Sequence, residues 1–137
     1  MKVGLDLHGV IDKFPELFVK LSHKLVKLGH EVHIITGKEK LTVEPELEKI
    51  GIKYTHFYSI VDFHKGQETK MWNNDRKGKG WWMDRYSWNT SKGYYAQDVG
   101  LDMHYDDNLE YAVYFPSNCS YILVRDGFDQ LYPFVDI

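Results

Sequence analysis

Cysteine, proline and net charge are all scarce in this 137-residue sequence. Cys119 is the one cysteine, so no internal disulfide can form. It lies in Ser117-Asn118-Cys119-Ser120, just ahead of an apolar run, and reads as a small packed side chain rather than a catalytic thiol. Lys and Arg number 17 against 20 Asp and Glu, a formal charge of −3. That balance lacks the electrostatic footprint of general nucleic-acid binding, while leaving room for a nucleotide or a local basic patch. No apolar stretch reaches membrane-spanning length and no apolar leader follows Met1, so a soluble cytoplasmic protein with no membrane partner is the expectation. The length suits one domain over 1–137, and no internal repeat is visible.

What is present is an alternation of two periods. Lys2 to Asp6, Glu31 to Ile35, Lys53 to Tyr58, Leu101 to Tyr105 and Ser120 to Val124 read as strands. Between them, Phe14, Leu17, Phe18, Leu21, Leu25 and Leu28 recur at helical spacing behind Pro15 and ahead of Gly29. Thr42 to Ile50, Thr90 to Val99 and Leu109 to Tyr114 read as further helices, the first two followed by Gly51 and Gly100. Such alternation predicts an α/β fold with right-handed crossovers and a mostly parallel sheet. The segment from about 64 to 89 breaks the rhythm. It carries Trp72, Trp81, Trp82 and Trp88 around an Asn/Asp/Gly turn signal and predicts a short, hairpin-like, Trp-rich insertion. The apolar residues from Phe128 to Ile137 are expected to pack back onto the body.

Polar residues gather at three strand ends. Asp6 and His8 follow the first strand, Thr36-Gly37 the second, and Asp106-Asp107-Asn108 the fourth, while Lys92 sits near the start of the preceding helix. Each alone fits helix capping as well as chemistry. Together they put carboxylates, one cation and one hydroxyl on the ligand-binding rim of an open parallel sheet. Such a cluster is costly unless a metal or the lysine compensates it.

Asp-x-x-Gly-Val after strand one, apolar-Thr-Gly after strand two, Lys before a helix and Asp-Asp after strand four resemble the haloacid dehalogenase (HAD) superfamily. The resemblance spans Lys2 to about Val124, and Lys92 to Asp107 is its strongest piece, similar to small, minimally capped members. It implies a three-layer α/β/α sandwich with five parallel strands in the order 3-2-1-4-5. It implies a Mg²⁺-dependent phosphatase in which Asp6 attacks phosphorus and becomes an aspartyl-phosphate. Thr36 and the Gly37 amide would bind phosphoryl oxygens, with Lys92 bridging nucleophile and phosphate. Asp6, Asp106, Asp107 and the backbone carbonyl of His8 would hold Mg²⁺, completed by water and phosphate. The expected partner is a phosphorylated small molecule or nucleotide.

His8 departs from the family pattern, which has a second Asp there. Its unperturbed pKa of about 6.5 suits acid/base work. The residue is therefore either a substituted general acid/base or the mark of a catalytically weak phosphate- or nucleotide-binding or interaction module. His33 and His104 alternate within apolar strands and read as core or sheet-face histidines. His56 and His64 flank the exit of the third strand, either solvated or facing substrate. Lys38 and Lys40 read as solvated loop charges or as substrate steering. Lys65, Lys70, Arg76, Lys77 and Lys79 interleave with the tryptophans, a solvated turn or a stacking surface. Asp12 occupies a common acidic position of the family loop, or solvent.

Overall fold

The computed structural model describes residues 1–73 and 80–131. The expectations for Arg76, Lys77, Lys79 and the last six residues fall outside them. A five-stranded parallel sheet runs β3-β2-β1-β6-β7. Its strands are β1 (Lys2–Leu5), β2 (Glu31–Thr36), β3 (His56–Ser59), β6 (Met103–Asp106) and β7 (Ser120–Leu123). A two-residue hairpin pairs β4 (Trp72–Asn73) with β5 (Trp81–Trp82). The helices are α1 (Pro15–Lys27), α2 (Lys40–Ile50), α3 (Ile60–Gly66) and α4 (Arg85–Val99).

Both sheet faces are covered, which is why β1 and β2 read as near-continuous apolar runs. On one face Phe18 of α1 and Val43 and Leu47 of α2 pack against Val3, Leu5, Val32 and Ile34. On the other, Ala96 of α4 joins Ile35, Leu101, Phe115 and Cys119. Burial pushes the Cys119 thiol up to about 11, as suits a packed side chain. Phe128 stacks on Phe18, with centroids 6.1 Å apart, and closes the first core. Among the described residues no helix is long and apolar enough to cross a membrane.

The insertion is smaller than the 64–89 expected. Ser59 accepts the Asp62 N–H at 3.1 Å and starts α3, which the sequence reading passed over. Asp84 likewise caps α4 by accepting the Ser87 N–H at 2.8 Å, five residues before the expected start at Thr90. The stretch between α3 and α4 therefore narrows to 67–84. Trp88 belongs to α4, and Lys92 lies in mid-helix rather than near its start. The third strand forms at His56–Ser59, later than Lys53 to Tyr58.

Candidate active site

Asp6 terminates β1. Its N–H donates to the Tyr105 carbonyl at 3.0 Å, carrying the β1–β6 pairing to the rim. Its Oδ1 accepts the Leu7 N–H at 2.9 Å and lies 3.3 Å from Lys92 Nζ. The chain then turns through Leu7–Ile11, closed by a bond from the Asp12 N–H to the Leu7 carbonyl at 3.0 Å. Gly9 makes the turn possible. Its φ is +83°, and a Cβ there would stand 2.1 Å from Asp107 Oδ2. The glycine thus lets the Asp6 loop meet the loop after β6.

Asp12 organises the same turn. Its Oδ1 accepts the Gly9 N–H at 2.7 Å and its Oδ2 lies 3.1 Å from His8 Nδ1. His8 Nε2 is buried without a protein partner. His8 is therefore oriented by one ring nitrogen and leaves the other uncommitted. The Asp12 carboxylate has a defined task at the loop, not merely a solvated position.

Lys92 reaches the rim from α4 and is only 3% exposed. Its Nζ donates to Asp106 Oδ2 at 2.8 Å. Gly93 lets the helix come close, since a Cβ there would stand 2.3 Å from the Tyr114 carbonyl oxygen. The 3₁₀ helix Leu109–Tyr114 thereby brings Tyr111 beneath Lys92, whose Nζ is 5.0 Å from the ring centroid. Asp106 is fully buried. Besides Lys92, its Oδ2 accepts a hydrogen bond from His104 Nε2 at 2.9 Å, and its Oδ1 accepts the Asn108 N–H at 3.1 Å.

His104 is the residue the sequence reading undervalued. It is a buried core histidine as expected, but it also holds a site carboxylate. The available signal was its spacing: residues two apart on a strand share a face, and His104 precedes Asp106 by two.

Charge is crowded here. Burial pushes the Asp6 carboxyl up to about 8; Lys92 opposes the rise, and Asp106 and Asp107 add to it. Burial would also lift Asp106, but Lys92 and His104 outweigh it and hold that carboxyl well below its usual range. Burial disfavours the Lys92 charge, yet Asp6 and Asp106 hold the ammonium above its ordinary range. Asp107 is raised by partial burial and by Asp106. One lysine thus pairs with two of three clustered carboxylates. Donor oxygens of Asp6, Asp106 and Asp107 lie within 4.8 Å of one another and could hold a metal ion. An all-carboxylate donor set fits a hard divalent cation such as Mg²⁺, whose charge would favour the ionised form of Asp6.

These groups line one cavity of about 730 Å³. Asp6, His8, Thr36, Gly37, Lys92 and Asp107 all reach it; Asp106 stands behind them, against Lys92. Thr36 ends β2 and is buried. Gly37 is pressed by Trp88, whose Cη2 would stand 2.4 Å from a Cβ. Trp88 is fixed in turn by donating to Tyr111 Oη at 2.8 Å. Lys38 lines the cavity, whereas Lys40 lies 3.6 Å from Glu44 and 5.6 Å from the Phe57 centroid. Neither His56 nor His64 lines it, so the substrate-facing alternative for them is not met.

Two other clusters place potential donor atoms within 4.8 Å of one another. One is His8, Asp12 and Glu46. The other is Glu31, His33 and His56, at the opposite end of the sheet.

No family model matches the chain, and no curated protein matches it. Among solved structures, a glycosyltransferase from Rickettsia africae ESF-5 is similar over 98% of this chain, with a TM-score of 0.46 and 14% identity. The chain spans 34% of that protein's length.

Proposed function

We propose that this chain is a Mg²⁺-dependent phosphatase with a HAD-like three-layer fold, hydrolysing a phosphomonoester of a small metabolite or nucleotide. The observation that carries the reading is Lys92. A buried ammonium joins the carboxylates at the ends of two adjacent parallel strands, beside a cavity that also receives Thr36 and Gly37. Phosphoryl transfer asks mainly for such positioning and charge neutralisation.

Asp6 Oδ1 is held by Leu7 and Lys92, which leaves Oδ2 to attack phosphorus. The phosphorus–oxygen bond to the leaving group breaks as the aspartyl-phosphate forms. His8, held through Nδ1 by Asp12, gives the Nε2 proton to the departing oxygen. Water then attacks phosphorus, His8 takes its proton, and the Asp6 carboxylate returns as inorganic phosphate leaves. Thr36 and the Gly37 amide hold the phosphoryl oxygens throughout. Asp6, Asp106, Asp107 and the His8 carbonyl would hold Mg²⁺, which supplies charge stabilisation to the transferring group.

Purified protein with Mg²⁺ is expected to release phosphate from a panel of phosphomonoesters and to be inhibited by EDTA. Phosphate release that is absent from pH 5 to 9 across the panel overturns the reading. The second reading is a catalytically weak phosphate- or nucleotide-binding module. The histidine at position 8 favours it, because His replaces the shorter carboxylate of the family pattern. An increase in rate in His8→Asp would mean that the histidine limits turnover.

A further inference from the structure

We infer that the substrate is a nucleoside monophosphate whose base stacks on Trp81; this rests on the phosphatase reading and adds the substrate class. The cavity is far larger than a phosphate group needs and falls within the ~300–1,000 Å³ typical of small-molecule sites. Asp6, Thr36 and Lys92 line it together with Trp81. Glu39, Thr42 and Asn108 also line the space. They offer hydrogen-bonding groups to the hydroxyls of a sugar.

The hairpin gives Trp81 its orientation. Opposed residues of an antiparallel pair share a face, and neighbours along a strand take opposite faces. Trp72 opposes Trp82, and Asn73 opposes Trp81. Trp81 enters the cavity, so Trp72 and Trp82 stand together on the far face, 51% and 41% exposed. A single indole of the hairpin is therefore directed at the ligand.

The indole is also held in advance. Lys65 Nζ lies 4.5 Å from the Trp81 ring centroid and 2.8 Å from Glu39 Oε2. Lys65 does not itself line the cavity, which leaves the lining side of the ring to a planar group. Trp88 and Tyr111 are committed to one another by their hydrogen bond, and Trp88 to Gly37. Among the described residues, the Trp81 ring meets Lys65. A partly exposed aromatic face in the wall of a cavity that also carries polar groups is what base stacking uses.

Calorimetric titration of the Asp6→Asn protein with Mg²⁺ tests this. Adenosine 5′-monophosphate is expected to bind at least about tenfold more tightly than ribose 5-phosphate, within the range of single base–aromatic stacks. Trp81→Leu should reduce that ratio to about threefold or less, and Trp81→Phe should retain most of it. A parent ratio below about threefold, or a ratio unchanged in Trp81→Leu, overturns the assignment. So does a 5′-phosphorylated oligonucleotide that binds more than about tenfold tighter than the mononucleotide, which would make a polymer end the ligand. Wild-type turnover separates the two claims. Base-dependent binding without hydrolysis defeats the phosphatase alone, and equal hydrolysis of both esters with no base preference in binding defeats this inference alone.

Discussion

The two ends of the parallel sheet both collect ionisable groups, and they use them in opposite ways. At the carboxyl end, Asp6 and Asp106 share Lys92 with Asp107 beside them, and His8 keeps a buried ring nitrogen without a partner. At the amino end, Glu31, His33 and His56 close on themselves. His33 Nδ1 meets Tyr95 Oη at 2.6 Å and Nε2 meets Glu31 Oε1 at 2.9 Å, while the His33 and His56 rings stack 4.2 Å apart. Both ends contain shifted titrations: burial lowers His33 just as it raises Asp6. Perturbation alone therefore does not mark a site. The distinguishing property is unspent valence beside a cavity: both His33 ring nitrogens have partners at the amino end, and His8 Nε2 has none at the carboxyl end.

The sharpest way to break this contrast is at the nucleophile. Asp6→Asn is expected to lower phosphomonoester turnover by at least about a thousandfold. Retained turnover in a phosphate-release assay would move the chemistry elsewhere. Lys92→Met comes next. It leaves buried carboxylates uncompensated and should cost about 3–5 kcal/mol in denaturant unfolding, with part recovered on adding Mg²⁺. An unfolding midpoint equal to wild type would show that the lysine does not hold the rim together.

The wild-type protein should also gain stability from Mg²⁺, by about 2–3 kcal/mol at a hundredfold excess over Kd. Asp107→Asn should weaken the gain, read as a smaller shift in Tm, and a shift that the variant does not diminish would remove Asp107 from the donor set. His33→Phe should act only at the other end, costing about 1 kcal/mol through the partly buried Tyr95 hydroxyl left without its partner, with turnover unchanged.

The smallest expected effect is in pH. The folded-state pKa of His33 lies below its unfolded value, so the unfolded chain takes up the proton first. Stability contributed by neutral His33 is full above about pH 6.5 and is lost as pH falls below it. His104 has the same sign, also from burial. His33→Phe should flatten part of that acid slope in thermal melts; an unchanged slope would assign it to other groups.

Much of the rim was legible because its residues follow simple rules. Asp6, Thr36 and Asp106 each end an apolar strand, and a glycine or a turn follows, so their positions could be read from periodicity. The α/β class was legible for the same reason. Less legible was whatever depends on side chains meeting across the fold. Nothing local announces that Asp12 will hold both the Gly9 amide and His8, because Asp at that place also suits solvent. The early start of α4 was hidden by composition: four tryptophans suggested an irregular insertion and drew attention from the cap at Asp84. The short α3 was missed because seven residues offer too little periodicity.

The backbone bond from Asp6 to Tyr105 has a consequence for ion choice. It makes the sheet itself the ruler between two of the acids, since neighbouring strands sit about 4.8 Å apart whatever side chains they carry. A larger ion such as Ca²⁺, with oxygen distances of about 2.3–2.6 Å against 2.0–2.1 Å for Mg²⁺, finds that gauge fixed on two sides. Adjustment falls to Asp107, the exposed carboxylate of the three. In the proposed Mg²⁺ site, discrimination between alkaline-earth ions would thus be inherited from the pitch of the pleated scaffold and fine-tuned by a single surface residue.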